Sequence, residues 1–269
     1  MLLNQVLRSH RAGVARRGLT LLELVVVMVI LAALAGILVP LLPNLARKGH
    51  TSAGATNLGE IAKAIQLYAS QNGDSFPNNY DSIVNADGAI ATYVPTVSAM
   101  FGGQPVLTVG NLTSTEVSRL SDVGITTIVQ MIEQPANPGS WSPTFFPYGT
   151  APATPPTPVT LATSTNVALL NPAVAAAKFA LPNDGKYVVF GIGKYCTAVS
   201  TVMNEAPVWY SPVQDMDPAS KYARFGLVFQ LAGAGGATLS RAKFVGPVEF
   251  GPWGTMTKDD NLGYHYTLD

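Results

Sequence analysis

Cysteine is almost missing from this sequence. The single thiol, Cys196, excludes an intramolecular disulfide and a cysteine-rich metal site. It sits in the apolar run KYVVFGIGKYCTAV, which reads as a buried strand, so a small core residue is expected there rather than a reactive thiol. Charge is scarce too, at 12% of residues, about half the usual share of roughly 25%. The 16 basic and 16 acidic residues cancel, which leaves no excess charge to draw a nucleic acid or another polyanion. The three histidines, His10, His50 and His265, are too scattered to pair as zinc ligands. No G-x-S-x-G elbow is present. Gly191-Ile192-Gly193-Lys194 lacks both the third glycine of a dinucleotide fingerprint and the spacing of a P-loop, and reads as a turn or bulge. Nothing in this inventory points to an enzyme.

One further scarcity is local. From Met1 to Gly59 the only acidic residue is Glu23, and it lies inside the most apolar run of the chain. Leu19 to Leu42 is interrupted only by Thr20, Glu23 and Pro40, and as a helix it would extend about 36 Å, enough for a hydrocarbon core of about 30 Å. The preceding residues 1–18 hold four arginines and no acid. A basic flank stays cytoplasmic, which puts everything after Leu42 outside. Three readings fit such a segment: a signal anchor, a cleaved export signal with Ala33-Leu34-Ala35 as its site, or a membrane helix in which the carboxylate has a function. The apolar run continues beyond Ala35 as GILVPLL, which argues against the second.

The junction Arg16-Arg17-Gly18/Leu19-Thr20-Leu21-Leu22-Glu23, with Pro40 22 residues beyond Gly18, resembles the processing site of type IV prepilins and type II secretion pseudopilins. The resemblance covers roughly residues 13–72. It implies cleavage between Gly18 and Leu19 by a prepilin peptidase, N-methylation of the new amine on Leu19, and assembly into a helical filament. Leu19 departs from the family's usual Phe. The implied partners are copies of the chain, other pilin-like subunits, an inner-membrane assembly platform, and the lipid bilayer before assembly. Glu23, beside Thr20, would neutralise the amine of a neighbouring Leu19 in lipid, where an unpaired charge is penalised, and so fix axial register. Pro40, with Gly36 in the same turn, would break or kink the helix.

Beyond Pro43, the spacing of Leu58, Ile61, Ile65 and Tyr68, with Ala55, Ala62 and Ala69 alongside, predicts an amphipathic helix over 43–72 that continues the spine. Glu60, Lys63, Gln66 and Gln71 take its polar side, and Asn72-Gly73 ends it. Residues 73–269 form the expected extracytoplasmic head. Ser75 to Thr160 reads as irregular, except for a capping box Thr113-x-x-Glu116 that opens a short helix, a stop at Gly124, and a strand ITTIVQMI. Eight prolines between Pro135 and Pro158 make that stretch a loop or linker. Its Trp141, Phe145, Phe146 and Tyr148 suit docking on the head or on a neighbour. A short helix over 173–181 and strands over 186–193, 206–211, 223–233 and 242–250 complete the reading.

The expected fold is therefore α+β and pilin-like: a long N-terminal helix, half transmembrane and half amphipathic, packed on an antiparallel sheet with an enlarged irregular middle. Some pseudopilins hold calcium near the C-terminus, and the oxygen ligands of Asp259, Asp260 and Asn261, with Asp269 and the Asp215-x-Asp217 pair, are the weak candidates here. Solvated surface acids are the simpler reading. The expected product is a single-span inner-membrane precursor that becomes a periplasmic or cell-surface filament. Its rivals are an adhesive head carried on a pilin N-terminus, and an ordinary exported protein.

Overall fold

A computed structural model describes residues 20–39, 42–85, 87–90, 94, 105–131, 157–208, 224–251 and 254–256. The chain divides into two compact units, Met1–Pro43 and Asn44–Asp269.

In the first unit, helix α1 spans Leu21–Leu38. Its mean hydropathy of 2.9 is high enough for a membrane span, and 18 residues reach about 27 Å. Of the expected 19–42 segment, α1 covers Leu21–Leu38, and residues 19, 40 and 41 lie outside the described residues. Thr20 caps the start, and Val39 is the C-cap directly before Pro40. Val39 itself stays helical at φ −56° and ψ −44°, and Pro40 has no N–H to offer the Gly36 carbonyl. Gly36 itself lies inside the helix, where an added Cβ would meet nothing within 4 Å.

Helix α2 spans Leu42–Gln71 and lies in the second unit from Asn44 onward. Ala55, Leu58, Ile61, Ile65 and Ala69 are buried, while Glu60, Lys63, Gln66 and Gln71 are exposed, as the helical spacing predicts. The stop is built as expected. Asn72 Nδ2 donates to the Tyr68 carbonyl at 2.8 Å and Gly73 has φ +64°.

The head strands are β1 (Tyr80–Asn85), β2 (Leu107–Asn111), β3 (Thr127–Met131), β4 (Val159–Thr160), β5 (Asn166–Leu170), β6 (Lys186–Gly191), β7 (Phe225–Ala232), β8 (Thr238–Gly251) and β9 (Gly254–Met256). Helices α3 (Ser114–Ser121) and α4 (Pro172–Phe179) complete it. The sheet runs β4-β3-β1-β6-β7-β8-β9, and β5 joins β2 to β6. It is mixed rather than wholly antiparallel, because β1 and β3 pair in parallel. A parallel pair needs a crossover, and the connection here holds β2 and α3.

The period-two alternation of strands sorts the core. Val188, Phe190, Phe225, Leu227 and Phe229 face α2 and the end of α3, packing on Leu58, Ile61, Ile65 and Leu120. Tyr187, Val189, Val228, Val248 and Phe250 fill the other face with Val174 and Ala175 of α4. With both faces covered, β7 is buried along its whole length, which is why FGLVFQLA reads as a nearly unbroken apolar run.

Several expectations need correction. The middle region is less irregular than expected: β3 falls in the expected ITTIVQMI strand, but β1, β2 and β4 also lie within 75–160. The expected strand 186–193 ends at Gly191, and Cys196 sits in the turns beyond it, buried but off the strand. The helix expected over 173–181 closes at Phe179, with Ala180 left-handed at φ 51°. Of 206–211, Val208 makes an isolated bridge to Arg224, and residues 209–211 lie outside the described residues. Most of the Pro-rich stretch, Trp141 to Tyr148 included, lies outside them as well.

Candidate functional site

The candidate assembly site is the start of α1. Thr20 is extended, with φ −70° and ψ 152°, and its side chain accepts from the Glu23 backbone N–H at 3.2 Å. The Glu23 carboxylate returns the bond. Its Oε2 accepts from the Thr20 backbone N–H at 2.8 Å and from Thr20 Oγ1 at 3.0 Å. This is a reciprocal capping box, satisfying two donors that a helix start would otherwise leave orphaned. The pattern T-x-x-E just before an apolar run signals it in the sequence. Reading Glu23 only as an intramembrane charge misses the local role.

Two features of this site bear on assembly. Glu23 is the only charged residue of α1, and no cation among the described residues pairs with it. Every residue of α1 is exposed, Leu21 by 81% and Ile37 by 65%. An apolar helix this bare needs lipid or other chains around it. Gly18, Leu19 and Pro40 lie outside the described residues.

The remaining candidates separate cleanly. At Gly193 an added Cβ would fall 2.0 Å from Asp81 Oδ1. A carboxylate fills the space that a phosphate cradle would need and would repel the phosphate, so the Gly191–Lys194 stretch is a turn. Cys196 accordingly donates its N–H to the Gly193 carbonyl at 3.2 Å. Burial, opposed by hydrogen bonds from the Ala198 and Val199 backbone and reinforced by Asp81, pushes its thiol up to about 12. A thiol so placed is inert at neutral pH. Asp215, Asp217, Asp259, Asp260, Asn261 and Asp269 lie outside the described residues. Among the described residues, no group of three or more His, Cys, Asp or Glu side chains could hold a metal.

Within the head, α3 carries a second capping box. Glu116 Oε2 accepts from the Thr113 N–H at 2.7 Å, and Thr113 Oγ1 accepts from the Glu116 N–H at 3.3 Å. Here a cation is built in, with Lys186 Nζ 2.7 Å from the same oxygen. Burial alone would raise the Glu116 carboxyl, but the Lys186 and Thr113 hydrogen bonds and the Lys186 charge outweigh it and hold it below the usual value.

Residues 14–39 match the prokaryotic N-terminal methylation motif. That motif is the type IV prepilin and pseudopilin signal, and here it spans Gly18, Leu19, Thr20, Glu23 and Gly36. It supports a pilin-like or pseudopilin precursor anchored in the membrane, a structural subunit rather than an enzyme. It also implies processing by prepilin peptidase and assembly with other pilins. The match stops at residue 39 and so leaves the head unassigned. No curated protein and no solved structure matches the chain.

Proposed function

We propose that this chain is a structural subunit of a type IV pilus or type II secretion pseudopilus. Residues 1–18 are a cytoplasmic leader, removed between Gly18 and Leu19, and the new Leu19 amine is then methylated. The head stands outside the cytoplasmic membrane, and the processed subunit leaves the bilayer for a periplasmic or surface filament. Its partners are the peptidase, the assembly platform, other pilin-like subunits and its own copies.

The observation that carries this reading is the methylation motif ending on a bare apolar helix whose one charge is Glu23. Cleavage places a cation one residue before Thr20. A positive amine at a helix N-terminus meets the positive end of the helix dipole, which is unfavourable. A second subunit's Glu23 corrects this. Oε2 is held by its own Thr20, and Oε1 takes part in no hydrogen bond among the described residues. The carboxylate is therefore fixed in direction and still able to accept a neighbour's amine. In lipid a correctly paired contact gains strongly and a mispaired one is penalised, so the pair selects register. The capping box survives cleavage, since the Thr20 N–H belongs to the Leu19–Thr20 peptide.

The test is the intact mass and N-terminal sequence of the mature protein. A chain that begins with N-methylated Leu19 supports the proposal. One that begins at Gly36 is an ordinary export product, and one that retains residues 1–18 is a plain anchor. Either of these overturns it.

A further inference from the structure

The second half of α2 borders a cleft of about 410 Å³ that residues 202–208 close on the far side. Ile61 and Ala64 of the helix face Val202, Met203, Pro207 and Val208 across it. Two carboxylates, Glu60 and Glu205, also line it, and both residues are exposed. No basic side chain is among its lining.

Neither acid is committed elsewhere. Glu60 touches Lys63 at 2.8 Å, but these side chains are 65% and 74% exposed, and so open a pair holds little free energy. Glu205 has no ion pair among the described residues. An apolar slot edged by two carboxylates suits a side chain with an aliphatic stem and a cationic head, which means lysine or arginine.

The chain carries such a feature with no acid near it in the sequence. Between Leu24 and Gly59, Arg47 and Lys48 are the only Asp, Glu, Lys or Arg residues. Both lie on α2. A helical side chain reaches neighbours three or four positions away, and no acid falls in that reach of either. Glu60 is 13 residues after Arg47, about 20 Å along the helix, beyond contact within one chain.

We propose that the Arg47–Lys48 turn of one copy docks into the Glu60/Glu205 cleft of a second copy. This rests on the self-assembly reading above and names a second contact for it, outside the lipid. Two different surfaces of the same chain meet, so the contact is heterologous and repeats without closing. For parallel helices the copies are offset by about 18–20 Å. Lying in water, the contact weakens with added salt.

The experiment uses the full chain in its native cell, carrying Lys48→Cys together with Glu205→Cys. Filaments are sheared off and treated with a short bis-maleimide. Cys196, 2% exposed, stays silent. The expected result is a ladder of covalent oligomers from the double variant and none from either single variant. Glu60→Lys with Glu205→Lys should also lower filament yield, and adding Arg47→Glu with Lys48→Glu should restore it. Filaments that form normally, give no ladder and ignore the charge reversal overturn the proposed contact alone. A processed wild-type chain that never leaves the monomeric state overturns the self-assembly reading and this contact with it.

Discussion

The starts of α1 and α3 are the same device in two settings. Each is T-x-x-E, each threonine accepts from the glutamate N–H, and each carboxylate returns to the threonine N–H, at 2.8 Å in α1 and 2.7 Å in α3. They differ in what surrounds the carboxylate. Glu116 is 6% exposed and has Lys186 against it. Glu23 is exposed on a bare helix with no cation among the described residues. The head finishes its ion pair within the chain. The membrane helix leaves the pair half made, and that missing half is what a partner can supply.

Glu23→Gln tests this difference most sharply. Glutamine serves at the third helical position of a capping box as well as glutamate does, so α1 should keep its start and membrane insertion. Cleavage should also persist. Only the charge is lost. Subunits recovered in filaments should fall at least about tenfold, the factor set by roughly 1.4 kcal/mol of lost pairing. The ratio of sheared filament to membrane-bound chain measures it. Normal recovery would show that Glu23 serves α1 as a cap and nothing more.

Lys186→Met makes the corresponding break in the head, leaving Glu116 with its cap and without its cation. Breaking a fully buried pair costs about 3–5 kcal/mol. The Lys186 side chain is 27% exposed, so water recovers part of that and about 2 kcal/mol of head stability should go. Urea unfolding measures it. The pH dependence follows in sign. Because the folded-state value of Glu116 is depressed, the pair's contribution is complete above the unfolded value of about 4.3. It is lost as pH falls through the lower folded value, where the unfolded chain binds more protons. In Lys186→Met only the Thr113 hydrogen bonds still oppose the burial effect, so this acid-side loss of stability should flatten. An unchanged acid limb would mean that Thr113 alone holds the carboxylate.

The sequence exposes these parts unequally. Leu58, Ile61 and Ile65 repeat at helical spacing because α2 buries one face only. The α3 cap is legible because T-x-x-E is local. The identical pattern at Thr20 is hidden by its context, since an acid in an apolar run draws attention to its charge. Strand β1 shows no alternation, as Tyr80, Asp81, Ser82, Ile83, Val84 and Asn85 are all buried and Ile83 adopts φ 63° beside a register shift. A β-branched residue rarely takes that conformation, and Ser82 Oγ bonding the Val84 carbonyl at 2.6 Å helps hold the irregularity. Such tertiary support has no short-range signature. The same holds for the α2 cleft, whose walls come from segments far apart in the chain.

The smallest effects belong to the threonines, and their inequality is informative. Thr113→Ala removes an N-cap from a short helix that the head depends on, since Leu120 is buried and Arg119 Nη1 donates to the Leu231 carbonyl. A loss of about 1 kcal/mol is expected on urea unfolding. In α1 the same change should leave the helix intact, because a segment in lipid has no alternative partners for its backbone groups. What Thr20→Ala removes is the hold on Glu23 Oε2 by the hydroxyl; the backbone bond at 2.8 Å remains. Filament recovery should therefore fall less than in Glu23→Gln, with cleavage unchanged, and Thr20→Ser should behave as the native chain. If Thr20→Ala instead matched Glu23→Gln, the hold that Thr20 keeps on the carboxylate would limit assembly as much as its charge does, and the α1 start would need its cap as the α3 start does.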